Sequence, residues 1–516
     1  MKKYLWRIRG FIALSLLLSL VEAILTSAML LFPGLLIDHY ENGALYIGKL
    51  VAAFVLIFAL YLLDAYIGNR VSDHRRVRFE KAIKKDFFDA VICRDFKDFH
   101  RYDVAEYISM QANDITEMCQ NYLSPLLSVW RSVIMLTVFG VSLVIHVNIY
   151  LALLILGFSA LMVFVPNLTA EKLAARNKDY LDGVGQYTAA AKTLYEAHDI
   201  LDSKGRQKLS DLHEKELDRV LDKNMFFRHL NSFAMVLNGG SVEAISVVTF
   251  GAVAFLLLSG HITLGMAAIA FSYSTKFIDP MYEMNMCIGL VHSVRKVEEK
   301  LVNIIESGAP QRQETPLKIR RISATALQKN YGETQIHTPP VELSAPEKYL
   351  VRGENGSGKS VFFRLLMHFE EADTGEIRYN GKLCSDHISE SICYVPQEPI
   401  IFNASYEENV TVYHTYCAEK LSEYEGYFPK AVIEHIKTST DPQNLSGGEK
   451  QVVAMLRALC SGKDIILMDE PFAAMNQITI DAFMNNMNAI NRMLVIIAHN
   501  IDEYADHFNM CITVRR

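Results

Sequence analysis

Residues 350–360 read LVRGENGSGKS. Gly353, Gly358, Lys359 and Ser360 fill the fixed positions of the pattern G-x-x-x-x-G-K-[ST]. Glycines let the backbone bend so that several N–H groups point inward at phosphate oxygens. Lys359 then reaches the β- and γ-phosphates as a point charge, and the Ser360 hydroxyl is placed to ligate Mg²⁺. The flanks agree. Tyr349, Leu350 and Val351 form an apolar, strand-like run before the loop, and residues 361–369 (VFFRLLMHF) form a helix-like run after it. The phosphates are therefore expected at a helix N-terminus.

Two later stretches supply partners. Asp469 and Glu470 end the apolar run Ile465, Ile466, Leu467, Met468. A buried parallel strand ending in two acids can hold Mg²⁺ through the first and orient water with the second. Residues 445–449 read LSGGE. Ser446 and the two glycines open a helix expected over 449–459 and offer backbone N–H groups to an anion. Together the loop at Gly353, LSGGE at Leu445 and IILMDE at Ile465 resemble the nucleotide-binding domain of ATP-binding cassette (ABC) proteins.

That resemblance implies roles for further positions. ATP with Mg²⁺ is the implied ligand. Gly353, Glu354, Asn355, Gly356, Ser357, Gly358, Lys359, Ser360 and Val361 would cradle its phosphates, with Tyr331 resembling the aromatic that stacks on adenine. Ser446, Gly447, Gly448 and Glu449 would face the nucleotide held by another subunit. Ser360, Gln397 and Asp469 would surround the metal; Glu470, His499 and Gln397 would carry the catalytic roles. Gln397 (in YVPQ) resembles the glutamine that touches Mg²⁺ and faces the membrane domain, and His499 (in IIAH) the switch histidine near the γ-phosphate. The chain departs from the family at Val361, where threonine is usual, and at Asn476, where an aspartate is usual. Residues 438–444 (TSTDPQN) lack the glutamate of many exporters, and the stretch after His499 is short, so curtailed terminal helices are expected.

The chain has 516 residues, enough for more than one domain, and is 51% hydrophobic, above an ordinary soluble chain. A net charge of −7 is too mild to argue for nucleic acid, and no basic block interleaves with aromatics. Eight cysteines are scattered with no C-x-x-C pair, so neither a zinc site nor a disulfide frame is implied.

Lys2, Lys3, Arg7 and Arg9 precede an apolar run too long for a signal-peptide core. Stretches long enough to cross a bilayer, roughly 20 residues each, recur. Spans are expected near 11–37, 44–67, 123–146, 149–166, 233–259 and 263–288. Basic clusters at the N-terminus, 70–85, 172–178 and 295–300 put both ends and the ATPase in the cytoplasm. Two charged excursions, 69–121 and 167–230, read as helices continuing beyond the membrane. Within the first, Phe99, Ser109, Asn113 and Asp114 resemble the first coupling loop of exporter-type membrane domains, with Val104 where glycine is usual; in the second, 187–200 resembles the helix that docks on a partner subunit. Residues 307–321 (SGAPQRQETPLKIRR) read as a linker. Beyond it strands and helices alternate, as in a parallel-sheet α/β core.

The expected architecture is multidomain: an all-α six-helix transmembrane domain over 1–306, the linker, and an α/β ATPase domain over 322–516. The resemblance implies a half-transporter that exports a substrate as a dimer with a second copy or a related chain, in the lipid bilayer of the cytoplasmic membrane and with no nucleic acid. An ATP-gated regulatory or channel-like protein is the alternative. The membrane stretches argue against a soluble ABC ATPase of translation, and a peptidase–exporter fusion is disfavoured because no stretch ahead of the first span could hold a protease. At membrane depth Glu22, Asp64 and Glu243 suggest an acidic transport cavity for cationic cargo, with Arg131 as the competing partner of those acids.

Overall fold

The computed structural model describes residues 1–516 apart from 41–43, 95, 148, 150–152, 154–156, 158–164, 166, 309–317, 332–333, 355, 384–387, 389–390, 500 and 516. The chain forms two compact units. Met1–Cys93 and Tyr102–Ala309 make the first; Arg94–Arg101 and Pro310–Arg516 make the second.

The first unit is helical. Its elements are α1 (Arg9–Asp38), α2 (Ala44–Ile92), and α4 (Val104–His146), followed by α5 (Asn167–Glu196), α6 (Ser203–Leu258), α7 (Leu264–Ser293) and α8 (Arg295–Ser307). Among the described residues, α1, α2, α4 and α6 are long and apolar enough to cross a membrane. A helix satisfies its own backbone, which is why hydrocarbon admits it. The span expected near 263–288 lies on α7, a 30-residue helix whose Lys276, Asp279 and Glu283 interrupt the apolar run. The span expected at 149–166 lies outside the described residues except for four scattered positions. Val104 begins α4 after Asp103 in extended geometry, so this turn needs no glycine. Helix α4 carries two π-helical turns, at Met110–Asp114 and Cys119–Leu123. Each adds a residue to the turn and rotates the face that follows. The 187–200 stretch lies on the last turns of α5 and the short 3-10 turn at His198–Ile200.

Close approach and polar ties join these helices. Gly34 on α1 faces Ile269 and the Gly265 carbonyl on α7, leaving no room for a Cβ. Asp38 at the end of α1 accepts from the Thr263 hydroxyl and the Gly265 N–H at 3.0 Å each, which satisfies the start of α7. The Tyr273 hydroxyl, fully buried on α7, meets Ser27 Oγ at 2.6 Å and Ser142 Oγ at 2.8 Å, linking α1, α7 and α4.

The second unit holds a five-stranded parallel sheet: β5 (Lys348–Arg352), β8 (Ile392–Val395), β9 (Ile465–Asp469), β10 (Met493–Ile497) and β11 (Met510–Thr513), in the order β11-β5-β10-β9-β8. Every residue of β9 and β10 is buried. Their side chains alternate between two cores. Leu350, Ile466, Met468, Leu494 and Ile496 join one; Tyr349, Val351, Ile465, Leu467, Val495 and Ile497 join the other. The first core is closed by α12 (Gly447–Cys460) and α13 (Gln477–Met487), the second by α9 (Lys359–Leu366). An antiparallel sheet of β1 (Arg321–Ala324), β4 (Val341–Ser344), β6 (Ile377–Tyr379) and β7 (Lys382–Leu383) and a hairpin of β2 (Leu327–Tyr331) and β3 (Thr334–Thr338) complete the unit. The short helix α3 (Phe96–Phe99) belongs here too: the Phe96 ring stacks on Phe369, centroids 4.1 Å apart and 1° from parallel.

Lys348 starts β5 almost fully buried, and burial pulls its ammonium down to about 8. Its Nζ donates to the carbonyls of Pro346, Ile490 and Arg492, each at 2.7 Å, tying β5 to the approach of β10. Lys348→Met would leave the buried Ile490 carbonyl unsatisfied and remove the tie to the more accessible Pro346 and Arg492 carbonyls. At roughly 1–3 kcal/mol for the buried group, a loss of about 1–3 kcal/mol is expected. The midpoint of thermal unfolding of the detergent-purified protein should fall by several degrees; an unchanged midpoint would show that the tie carries no stability.

Candidate nucleotide-binding site

The parallel sheet places four loops along one edge, the carboxyl ends of adjacent strands, where open α/β sheets bind ligands. Gly353–Ser360 follows β5, Gln397 follows β8, Asp469 and Glu470 end β9, and His499 follows β10.

The loop after β5 is shaped by its glycines. Gly356 and Gly358 sit at φ +78° and +94°, a region that side-chain-bearing residues rarely adopt. A Cβ on Gly353 would meet Ser357 Oγ and the Val514 carbonyl, and one on Gly358 would meet Ile336 of β3. Gly358 caps α9, so that Lys359, Ser360 and Val361 form its first turn. Lys359 is buried, and its Nζ bonds the Gly353 carbonyl at 2.9 Å and the Glu354 carbonyl at 3.0 Å. Among the described residues, Ser357 Oγ is buried without a hydrogen-bond partner. A cradle with no space for Cβ atoms, a helix N-terminus, a lysine on its rim and an unsatisfied hydroxyl fits a polyphosphate. Asn355 lies outside the described residues. Tyr331 ends β2 partly exposed, and its hydroxyl donates to Glu370.

Glu470 is the centre of the acidic side. Its backbone is left-handed at φ +48°, fixed by its N–H donating to the Ile497 carbonyl at 2.9 Å. That turn delivers its carboxylate between two partners. Gln397 Nε2 donates to Oε2 at 3.2 Å, and His499 Nε2 lies 3.5 Å from Oε1. Asp469 is buried and accepts from the Tyr394 hydroxyl at 3.2 Å. Burial and the Asp469 charge both push the Tyr394 phenol up, so it stays a donor. The structure thus brings Gln397, Glu470 and His499 into one cluster.

Ser446 caps α12 through a reciprocal box. Its Oγ accepts from the Glu449 N–H at 3.4 Å, and Glu449 Oε2 accepts from the Ser446 N–H at 2.8 Å. Burial raises the Glu449 carboxyl, but hydrogen bonds from Ser446 and from His435, 2.5 Å away, outweigh it and hold the group below its usual range. Gly447 packs on the Ala474 Cβ, and a Cβ on Gly448 would meet the Ala474 carbonyl at 2.6 Å. Among the described residues, no hydrogen bond joins Ser446–Glu449 to the loop after β5.

Two residues here escaped the sequence reading. Gln451 is 2% exposed, and its Nε2 donates to the Gln397 carbonyl at 2.6 Å, fastening α12 to the Gln397 turn. Its signal was a polar residue followed at once by the apolar run of α12. Asn476, noted only for its lost charge, caps α13: its Oδ1 accepts from the Thr479 N–H at 2.9 Å and the Thr479 hydroxyl at 2.8 Å.

Comparison with known proteins agrees with this geometry. Residues 12–281 match the family model of the ABC transporter transmembrane region, and residues 337–473 match the family model described as ABC transporter. The lactococcin-A transport/processing ATP-binding protein LcnC of Lactococcus lactis is 27% identical over 50% of this chain and 38% of its own length. The chain thus spans well under half of that relative. An uncharacterised ABC transporter ATP-binding protein of Bacillus subtilis, YfiB, is 22% identical over 92% of this chain and 85% of its own. The structure of a bacterial Atm1-family ABC exporter with ATP bound superposes with a TM-score of 0.80, covering 99% of this chain and 93% of that one at 18% identity, which speaks for the fold. With a membrane-region match over more than half its length, ahead of an ATPase match that contains the phosphate loop and LSGGE, this chain is an integral membrane protein of the ABC transporter family.

Proposed function

We propose that the protein is a half-transporter that uses ATP to export a substrate across the cytoplasmic membrane, with its ATPase unit in the cytoplasm. The observation that carries this reading is the Gln397–Glu470–His499 cluster beside a polyphosphate cradle, which supplies the parts for hydrolysis and not merely for nucleotide binding. The same cluster weighs against the channel-like alternative. The domain limits proposed are 1–306 for the membrane part, 307–321 for the linker and 322–516 for the ATPase. The six-span count is part of this proposal.

In this mechanism the loop amides of 353–358 and Lys359 bind and orient the phosphates, and Tyr331 stacks on the base once its hydrogen bond to Glu370 yields. Ser360, Gln397 and Asp469 would hold Mg²⁺, which when bound neutralises charge on the phosphates. The donor set fits: hydroxyl, amide and carboxylate oxygens suit a hard cation. Glu470 orients the attacking water and accepts its proton; His499 senses the γ-phosphate and steadies the carboxylate. Ser446, Gly447, Gly448 and Glu449 would complete the site of a second subunit, a copy or a related chain, because within one chain they bond among themselves.

Three outcomes are expected. Glu470→Gln should retain ATP binding and lose at least about a hundredfold in turnover, as removing a water-orienting base does. Hydrolysis near the parental rate in purified protein would refute the assignment. Mixing a Lys359→Ala chain with a Ser446→Arg chain should restore ATPase activity through one intact composite site, whereas a fully active monomer in mild detergent would exclude a shared site. Gln451→Leu should lower turnover about tenfold, the worth of one buried hydrogen bond of about 1–1.5 kcal/mol, with nucleotide affinity little changed. Unaltered turnover would mean that the Gln397 turn holds its place without it.

A further inference from the structure

Inside the first unit, α1, α2 and α4 enclose a cavity of about 450 Å³. Its wall is polar although all three helices are apolar enough to cross a membrane. Helix α1 contributes Ser15 and Glu22, α4 contributes Ser128 and Arg131, and α2 contributes Asp64 and Arg75. Glu22, Asp64 and Arg131 lie within the apolar runs, where polar groups are retained when they meet partners or a polar content, and Arg75 lies beyond the run of α2.

Arg131 is already satisfied. It grips Glu22 with Nε at 2.8 Å and Nη2 at 2.6 Å, and its Nη1 lies 3.4 Å from both oxygens of Glu283. This pairing corrects the expectation of an acidic cavity for cationic cargo: Glu22 is neutralised, and Glu243 is an exposed position on α6 that does not line the cavity. What remains is one acid and one base. Asp64 is 9% exposed and Arg75 5% exposed. Arg75 donates from Nη1 to Ser15 Oγ at 2.5 Å and from Nη2 to Ser72 Oγ at 3.1 Å, while its buried Nε has no hydrogen-bond partner among the described residues. Asp64 and Arg75 lie eleven residues apart, three turns of one helix, so they share a face and their Cα atoms stand roughly 16 Å apart. Arg75 reaches back along α2 toward Asp64, as its bond to Ser72 shows, so their charged groups stand closer than their Cα atoms.

We propose that this cavity binds a zwitterion: a molecule with a free amine directed to Asp64 and a carboxylate or phosphate directed to the Nε of Arg75. A short unblocked peptide and a zwitterionic lipid headgroup both carry this chemistry. The proposal deepens the export reading by naming the class of compound; binding is read without nucleotide, so its failure is distinct from a failure of ATP-driven export.

The test uses the full chain, purified in detergent. Trialanine should raise the thermal midpoint in a saturable way. N-acetyl-trialanine and trialanine amide, each lacking one charge, should bind at least tenfold more weakly. Asp64→Asn should erase the preference for the free amine, and Arg75→Gln the preference for the free carboxylate. Arg75→Lys, which keeps the charge and loses the Nε donor, should retain carboxylate preference at lower affinity and guards against a fold-breaking variant. A lipid source is read in nanodiscs: stabilisation by phosphatidylethanolamine over phosphatidylglycerol, lost in the same variants, assigns the headgroup. Absence of charge preference in both arms, or preference that survives Asp64→Asn and Arg75→Gln, overturns the proposal.

Discussion

The hydrogen bond from the Glu470 N–H to the Ile497 carbonyl sets the geometry of the ATPase edge. A non-glycine residue in the left-handed region costs roughly 1–2 kcal/mol. The cost is met locally, because β9 and β10 pair in register up to Asp469 and Ile497, and the bond is the next rung of the same ladder. The Glu470 carbonyl then accepts from the Ala473 N–H at 3.2 Å, which closes the turn. With both ends of the residue held, the carboxylate has no choice of side. It meets Gln397 from the strand beyond β9 and His499 from the strand before it. Asp469, one residue earlier and still in the strand, points instead into the buried side and meets Tyr394. The adjacent acids receive different surroundings from one φ angle.

What the sequence disclosed, and what it did not, follows from how far each feature reaches along the chain. The phosphate loop is legible because its shape is fixed by glycines within a few residues of Lys359. The capping box at Ser446 and Glu449 is likewise local, three residues apart. The strand ending in Asp469 and Glu470 is announced by an unbroken apolar run. Gln451 and Lys348 were not legible: the first acts on a carbonyl 54 residues away, the second on one 142 residues away. Asn476 was read for the charge it lacks, yet its amide oxygen performs as a cap what a carboxylate would.

The membrane unit repeats this division. Hydropathy marks α1, α2, α4 and α6 because hydrocarbon selects on composition over a single helix. It marks α7 poorly, since Lys276, Asp279 and Glu283 break the run. Glu283 is tolerated because it faces Arg131, 152 residues earlier. Charge counted along the sequence therefore suggested an acidic interior, and pairing across helices cancels most of it. A bidentate guanidinium–carboxylate pair at low dielectric is costly to separate, since breaking it leaves an uncompensated charge. Glu22 and Arg131 thus serve first to fix α1 against α4.

One turn of the ATPase unit gathers contacts that would otherwise be unrelated. Helix α9 starts at Lys359 and spans about 12 Å over its eight residues. Just beyond its end, Phe369 stacks on Phe96 of α3, and Glu370 binds both Arg364 of α9, at 2.7 Å, and the Tyr331 hydroxyl. A short helix packed among fully buried Phe362, Phe363 and Leu366 moves as a rod, because a close-packed core shifts between arrangements and does not deform continuously. On the proposed function, phosphate bound at Lys359 and base stacked on Tyr331 act on opposite ends of the same rod. Both would bias the position of Phe369, and with it Phe96, which is joined through Cys93 to α2 by the chain itself. On that reading, the stack of Phe96 on Phe369 would carry a shift of α9 to α3 within the ATPase unit.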